Sequence, residues 1–533
     1  MLNRCPNCSG TLQFDIPSQK VKCQHCDSVF EPGSLPDDTK ATEVDDLPEY
    51  DADLFVCPAC GAEISSTELD AVNYCLYCGS FVSLDRHIRK VQRPERIVPF
   101  SKTIEDCRKN YNRSIRNRLY GRSECLKEEF LDGFKPIFIP HWEYTYSVGP
   151  EIKTEKDVRT VKGGYEYGRK DYIRYQATGS FTGLSFDASS TFDDAIGYQI
   201  APYDTANALP FHPAYMYGFF GDTADVTADV YEETANRQMT DYVHEKITKE
   251  RAVKKDGAEL PSARMNDWTG FSGSASLTML PVWFLTWRKD DRVAYSVMNG
   301  ATGKMHTEIP ISVRRYLVLA LITAIPIFLL LNLNFTFMGD ELLRLALILA
   351  SLTQMLHMCE MERIITRTLH LNDKGYVSVH SETAEIKKSY VGSKLANLTE
   401  RLFFRRKKKS VILTLLLALV IYLLLSVKAI STLTAAFCTL GIPLITLKHN
   451  RKCAKYLSGQ KVWQDTIGSV LAAFISGIIL LAAPAADLYY YTAGIGCLIG
   501  VALTAIMTMR RYNDLITRPI PRFFDREKGG KAA

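Results

Sequence analysis

The chain has 533 residues, and a prior of roughly 100 to 200 residues per domain excludes a single ordinary domain. Lysine and arginine number 64 against 59 aspartate and glutamate, a net charge of +5 that is too slight to argue by itself for a nucleic-acid partner. Residues 1–315 are mixed and polar, whereas residues 316–509 hold long apolar runs separated by basic clusters, which predicts a membrane protein with a large soluble front end.

Met1 is followed by Leu-Asn-Arg-Cys-Pro and not by a basic start and an apolar stretch, so the front end is expected to stay in the cytoplasm. The first module is CPNC at 5–8 with CQHC at 23–26, and the second is CPAC at 57–60 with CLYC at 75–78, each ligand offset by 52 residues from its counterpart. A Cys-x-x-Cys turn presents two thiolates to one ion, and two such turns complete a closed tetrahedral site. Two structural Zn2+ ions are expected, one on Cys5, Cys8, Cys23 and Cys26 and one on Cys57, Cys60, Cys75 and Cys78. Pro6 and Pro58 stiffen the first turn of each module, while Gly61 and Gly79 suit the positive φ that follows a knuckle. Disulfides are disfavoured in a cytoplasmic setting, and a redox Cys-x-x-Cys belongs to a βαβ context that is absent here. His25 reads as a surface residue and not as a fifth donor.

A site closed by four thiolates organises a fold and does not activate water. The modules are therefore expected to recognise something. Between them, residues 31–53 carry nine Asp or Glu against one Lys, an acidic linker that repels a phosphate backbone, so protein is favoured over nucleic acid as partner.

Downstream, Ile104, Cys107, Tyr111, Ile115 and Leu119 recur at helical spacing, predicting an amphipathic helix over 101–122 whose basic face lies on anionic lipid or pairs with an acidic partner, or which is a solvated helix packed on its own domain. Aromatic and β-branched runs from 138 to 309 predict antiparallel sheet with inserted helices, one near 232–255, and a hairpin with its tip at Asn299-Gly300. Gly300–Lys304 is too short for a P-loop, and the metalloprotease, serine-hydrolase and Rossmann patterns are missing from the chain. His141, His212 and His306 read as packing or hydrogen-bonding residues. Asp187, Asp193, Asp194, Asp204, Asp222 and Asp225 are oxygen donors at spacings that match no calcium loop. Enzyme activity has no positive support, and no catalytic residue is assigned.

Six apolar segments are candidate spans: 316–335, 342–359, 411–427, 429–447, 466–483 and 490–508. Arg314 and Arg315, the run at 405–409, Lys448 to Lys455, and Arg510 with Arg511 mark one side, whereas the loops near 336–341 and 484–489 have no Lys or Arg. By the positive-inside rule both termini face the cytoplasm, with Lys428 the exception. Gly496 and Gly500 form a small-xxx-small pair suited to close helix packing. Segments three to six carry no charge within their apolar stretches, which favours an anchor over a transporter.

The knuckles CPNC and CQHC, IPHWEY at 139–144, LSFDASS at 184–190, PFHPAYMYGFFGD at 210–222, LPVWFLTWR at 280–288 and MNGATGKMH at 298–306 together resemble a family of bacterial membrane proteins often labelled TFIIB-type zinc-ribbon proteins. The likeness covers residues 1–315. It implies a membrane-anchored adaptor, related to proteins that accompany PspA-type and SPFH/flotillin-like envelope-stress proteins, and it carries over no catalytic residue. The expected fold is a multidomain membrane protein: tandem four-cysteine zinc ribbons (1–30 and 54–90) around the acidic linker, an α+β, antiparallel β-rich cytoplasmic domain (91–312), a C-terminal α-helical transmembrane bundle (313–511), and a cytoplasmic tail (512–533). The expected function is recruitment of cytoplasmic or membrane-associated proteins at the inner membrane, in contact with lipid. The rival classes are a membrane-tethered nucleic-acid regulator, whose binding weakens steeply with salt, and a transporter that uses groups such as Arg344 or His357.

Overall fold

The computed structural model describes residues 4–37, 39, 49–66, 74–82, 84–116, 133–148, 151–176, 179–249, 272–289, 291–308, 310–334, 338–390, 433–457 and 461–523. The first cysteine module is a three-stranded antiparallel sheet of β1 (Leu12–Asp15), β2 (Lys20–Cys23) and β3 (Val29–Phe30). Alternation drives it: Leu12, Phe14, Val21 and Cys23 point inward, as the period of two requires.

The second module does not stand apart. Its strands β4 (Glu49–Val56) and β5 (Glu63–Ser66) form a hairpin, β4 also pairs with β6 (Asp85–Gln92), and β5 joins the main sheet. Residues expected to be linker are thus partly structural: Asp53 pairs with Arg86 at 2.7 Å, and Asp37 with Arg93 at 3.0 Å. Cysteine spacing reveals the metal knuckles but not the strands that flank them.

β7 (Arg96–Ile97) leads to α1 (Ile104–Arg116), whose Cys107, Tyr111 and Ile115 are buried. The basic helix therefore packs on its own domain; residues 117–122 of its expected span lie outside the described residues. β8 (Lys135–Val148) continues into a two-stranded arm, β9 (Glu151–Lys162) and β10 (Tyr165–Gln176), which returns as β11 (Gly179–Asp187) on β8. Then come α2 (Asp194–Ile200), β12 (Leu209–Pro210), β13 (Phe220–Asp222) and α3 (Asp229–Lys249). Tyr231, Ala235, Met239 and Val243, at i+4 spacing on α3, bury against Trp142, Tyr144 and Tyr146 of β8.

The 18-residue β14 (Ser272–Lys289) pairs along β8 from Ser147 to Lys135 and along β15 (Arg292–Asn299) on its other side. β15 turns into β16 (Met305–Thr307). The turn is wider than the expected two-residue tip: Asn299 stays in the strand, and its Oδ1 accepts from the backbone N–H groups of Ala301 and Thr302, both at 2.9 Å. The sheet is mixed and not purely antiparallel, because β13 runs parallel to β8 and β7 runs parallel to β14.

The C-terminal half is helical: α4 (Val313–Asn334), α5 (Gly339–Thr368), α6 (Lys374–Val379), α7 (Ser381–Ser389), a π-helical turn at Phe437–Gly441 running into α8 (Ile442–Tyr456), α9 (Ile467–Ala482) and α10 (Asp487–Ile516). Among the described residues, Gly339–Thr368 and Asp487–Asp514 are long and apolar enough to cross a membrane, and half of the most apolar stretch of the first is buried in the protein. The 411–427 segment and the start of the 429–447 segment lie outside the described residues. Gly500 meets the backbone of Gly468 on α9, where a Cβ would approach its carbonyl oxygen to 2.9 Å, whereas a Cβ at Gly496 would have no neighbour within 4 Å among the described residues. Among those residues the small-residue contact is therefore between helices at 500 and 468.

The end of α10 returns to the sheet. β17 (Arg518–Pro519) pairs with β15, Asn513 exchanges two hydrogen bonds with Ile311, and the backbone N–H of Phe523 donates to the Cys60 carbonyl at 2.6 Å. A segment expected to be a tail is thus stitched into the head.

Candidate metal centres and the groove between them

Four knuckles repeat one backbone plan. The N–H of the first cysteine of each pair donates to the carbonyl five residues on (Cys5 to Gly10, Cys23 to Ser28, Cys57 to Ala62, Cys75 to Ser80), and its own carbonyl accepts from the residue four on (Ser9, Asp27, Gly61 and Gly79). That fourth position is left-handed in all four, with φ of 58°, 56°, 77° and 65° in the same order. The two glycines were legible in the sequence. Ser9 and Asp27 were not, and each carries the roughly 1–2 kcal/mol cost of a side chain in this region, a cost that the closed knuckle offsets.

In each module the four sulfurs lie within 4.8 Å of one another, and among the described residues these are the two groups able to hold a metal ion. The Sγ–Sγ separations are 3.7 Å for Cys5–Cys26, 3.5 Å for Cys8–Cys23, 3.7 Å for Cys57–Cys78 and 3.6 Å for Cys60–Cys75. A tetrahedron with Zn–S bonds of about 2.3 Å has edges of about 3.8 Å. The donor sets fit such an ion and are too open for disulfides.

The sites differ in surroundings. Cys57, Cys60, Cys75 and Cys78 are all buried, in a core with Tyr77, Phe284, Tyr295 and Phe523. Tyr77 stands edge-on to both Phe284 and Phe523, and the Tyr295 hydroxyl donates to the Tyr77 carbonyl at 2.6 Å. In the first module Cys5 and Cys23 are buried but Cys8 and Cys26 are exposed. That module docks through the Phe14 N–H, which donates to the Tyr217 carbonyl at 2.9 Å, and through the Phe14 ring against Tyr215 and Phe219.

Between the modules opens a groove of about 610 Å³. Gln13 and Lys22 line it from the first module, Tyr74 and Phe81 from the second, and Phe134 and Trp283 form part of its floor. Phe81 is 83% exposed, its ring centroid 5.0 Å from that of Tyr74.

The histidines and aspartates are held in hydrogen bonds and ion pairs. His141 Nδ1 lies 3.1 Å from the Ile139 carbonyl, and burial pushes its pKa down to about 4, which keeps it neutral. His212 sits between the Leu35 carbonyl and the Ala214 N–H, and His306 is in β16. Asp222 accepts from Tyr77, Ser189 and Thr191. Asp225 accepts from Ser190, Asp204 from Asn207, and Asp193 pairs with Arg518 at 2.7 Å.

Asp187 and Asp194 share a buried pocket with Asp373, a residue that sequence spacing could not connect to them. Tyr231 and the Lys374 N–H both donate to Asp194. Burial first, and then the Asp194 charge, push the Asp187 and Asp373 carboxyls well above the usual range. A proton held in the folded state and released on unfolding stabilises the fold at low pH, and that stabilisation is lost as pH rises through the folded-state pKa. Asp187→Asn, neutral throughout, is expected to exceed the wild type in stability by at least about 1 kcal/mol near pH 8, with the gap closing toward about pH 4. Denaturant unfolding at the two pH values checks this, and a gap independent of pH contradicts it.

No protein-family model matches the chain, and no solved structure matches it. Over 322 residues it is 21% identical to the uncharacterized protein YdjG of Bacillus subtilis (strain 168), an alignment that takes in 58% of this chain and 90% of that protein. This is distant homology, and it assigns no family.

Proposed function

We propose that the chain is a membrane-anchored, zinc-binding adaptor of the TFIIB-type zinc-ribbon kind, which captures a protein partner in the groove between its two cysteine modules at the cytoplasmic face. The groove carries this reading: both modules wall it, and an aromatic side chain of the kind that anchors protein interfaces stands exposed at it. Anchoring is supported by the apolar faces that α4, α9 and α10 turn outward, among them Leu321, Ile325, Ile475, Ile478, Ile495 and Ile499. In this reading the bundle is multi-pass with both termini inside, and the partner is an envelope-stress protein of the PspA or SPFH type.

The test is capture of partners by the full-length protein in mild detergent after nuclease treatment, beside Phe81→Ala. Because Phe81 is exposed, its truncation leaves the fold intact, and partner retention is expected to fall by about tenfold or more. Equal capture by the variant removes the groove as the docking site, and loss of all captured material to nuclease favours a nucleic-acid regulator.

A second reading, transport, has one observation in its favour. Gln354 and His357 of α5 and Thr446 and Asn450 of α8 are almost wholly buried between helices, with Thr446 donating to Gln354 at 3.3 Å. Polar groups inside a bundle mark pathways in transporters. Flux in reconstituted vesicles that disappears in His357→Ala would establish it.

A further inference from the structure

Two sites of equal spacing and nearly equal sulfur geometry differ in their access to solvent. Ser28 Oγ lies 3.2 Å from Cys26 Sγ and is itself held by Asn7 Nδ2 at 3.0 Å. At the second site Ser80 Oγ lies 3.2 Å from Cys78 Sγ and accepts from Arg288 Nη1 in place of an asparagine. Cys26 is open to solvent and its counterpart Cys78 is fully buried. Attack by a cysteine needs a thiolate and a path for the oxidant. Metal ligation supplies the first at both sites, and exposure supplies the second at one.

We propose that the first cysteine site is a modification site for hydroperoxides, at which Cys26 is oxidised, Cys5 closes a disulfide with it and the metal is released, while the second site keeps its ion. The Cys26 thiolate attacks one peroxide oxygen. The S–O bond forms as the O–O bond breaks, and the departing hydroxide takes a proton from the Ser28 hydroxyl, which recovers one from water. Cys5, buried and 3.7 Å from Cys26, then attacks the sulfenic sulfur. The S–S bond forms, the S–O bond breaks, and a second hydroxide leaves to be protonated by water. Two thiolates lose two electrons, and hydrogen peroxide is reduced to two hydroxides, which take two protons from the buffer to become water. With two of its four ligands joined to each other, the site no longer closes around an ion. A dithiol reverses the step by thiol–disulfide exchange. The proposal goes beyond the adaptor reading and stands whether or not the groove binds a protein.

The experiment uses the full-length protein in detergent, loaded with zinc and titrated with hydrogen peroxide. Released zinc is read with a chromogenic chelator, and bridges are mapped by differential alkylation and mass spectrometry. The expected result is a fall from two zinc ions per chain to one, a single Cys5–Cys26 bridge, release from the second site at least about tenfold slower, and recovery with dithiothreitol and zinc. Release from both sites at one rate, release from neither, or a first bridge among Cys57, Cys60, Cys75 and Cys78 overturns the proposal. A Cys8–Cys23 bridge overturns Cys26 as the attacking atom.

Discussion

Cys60→Ser is expected to cost the protein its folded head, whereas Cys8→Ser costs it only the first module. Cys60 is wholly buried, in a core that also contains Tyr77, Phe284, Tyr295 and Phe523, and its carbonyl holds the Phe523 N–H. Structural zinc contributes on the order of 10 kcal/mol to folding, comparable with the whole stability of a domain, about 5–15 kcal/mol. A site inside the core cannot lose that contribution and leave the sheet standing. The first module shares a core with Phe100, Phe138 and Trp283 through Leu12, Phe14 and Val21, but its three strands form a separate sheet, so its loss uncovers one face of that core and leaves the main sheet paired. Zinc content and thermal unfolding of the two variants check this. Each is expected to lose at least one ion, with cooperative unfolding of the head abolished in Cys60→Ser and kept in Cys8→Ser. Equal behaviour of the two would contradict the assignment of different roles.

Arg518→Ala is expected to destabilise the junction between head and helices by about 3–5 kcal/mol, the usual cost of removing one partner from a buried ion pair. Arg518 bonds Asp193 at 2.7 Å and Glu308 at 2.8 Å, its guanidinium lies 4.7 Å from the centre of the Tyr295 ring, and all three charged side chains are buried or nearly so. Glu308 keeps its ion pair with Arg367, whose charge also acts on Asp193, but Asp193 loses its 2.7 Å partner. Arg518→Lys, which retains charge without the two-armed geometry, is expected to recover only part of the loss. Limited proteolysis after α10 and amide exchange in β15 and β17 provide the measurement. Protection unchanged in the alanine variant would show that the pairing of β17 does not depend on this arginine.

The sequence made the eight cysteines legible because ligand spacing is a local constraint, and it exposed the apolar helices because hydropathy is summed over a window. It also showed the burial stripe of α1, where Cys107, Tyr111 and Ile115 recur with the helical period. What it hid was assembled from afar. The Phe523–Cys60 bond joins residues at opposite ends of the chain, Arg518 meets Asp193 across 325 positions, and Asp373 joins Asp187 and Asp194 only after α5 has run its length. The groove was hidden for the same reason, since its walls come from both cysteine modules and from β8, β14 and α1. Ser9 and Asp27 gave no local signal, because their left-handed conformation is set by the closed knuckle and not by the residue type.

The two hydrogen bonds between Asn513 and Ile311 place the strand of chain that enters the helices directly beside the one that leaves them. A body joined by one such crossing can swivel about it, but one joined by two adjacent crossings, with β17 fastened to β15 just beyond, loses that rotation. The groove therefore keeps a constant bearing relative to the helices. Under the adaptor proposal a partner seated in it is presented always from the same side, so geometry selects among molecules that reach the same surface before any contact between side chains has been made.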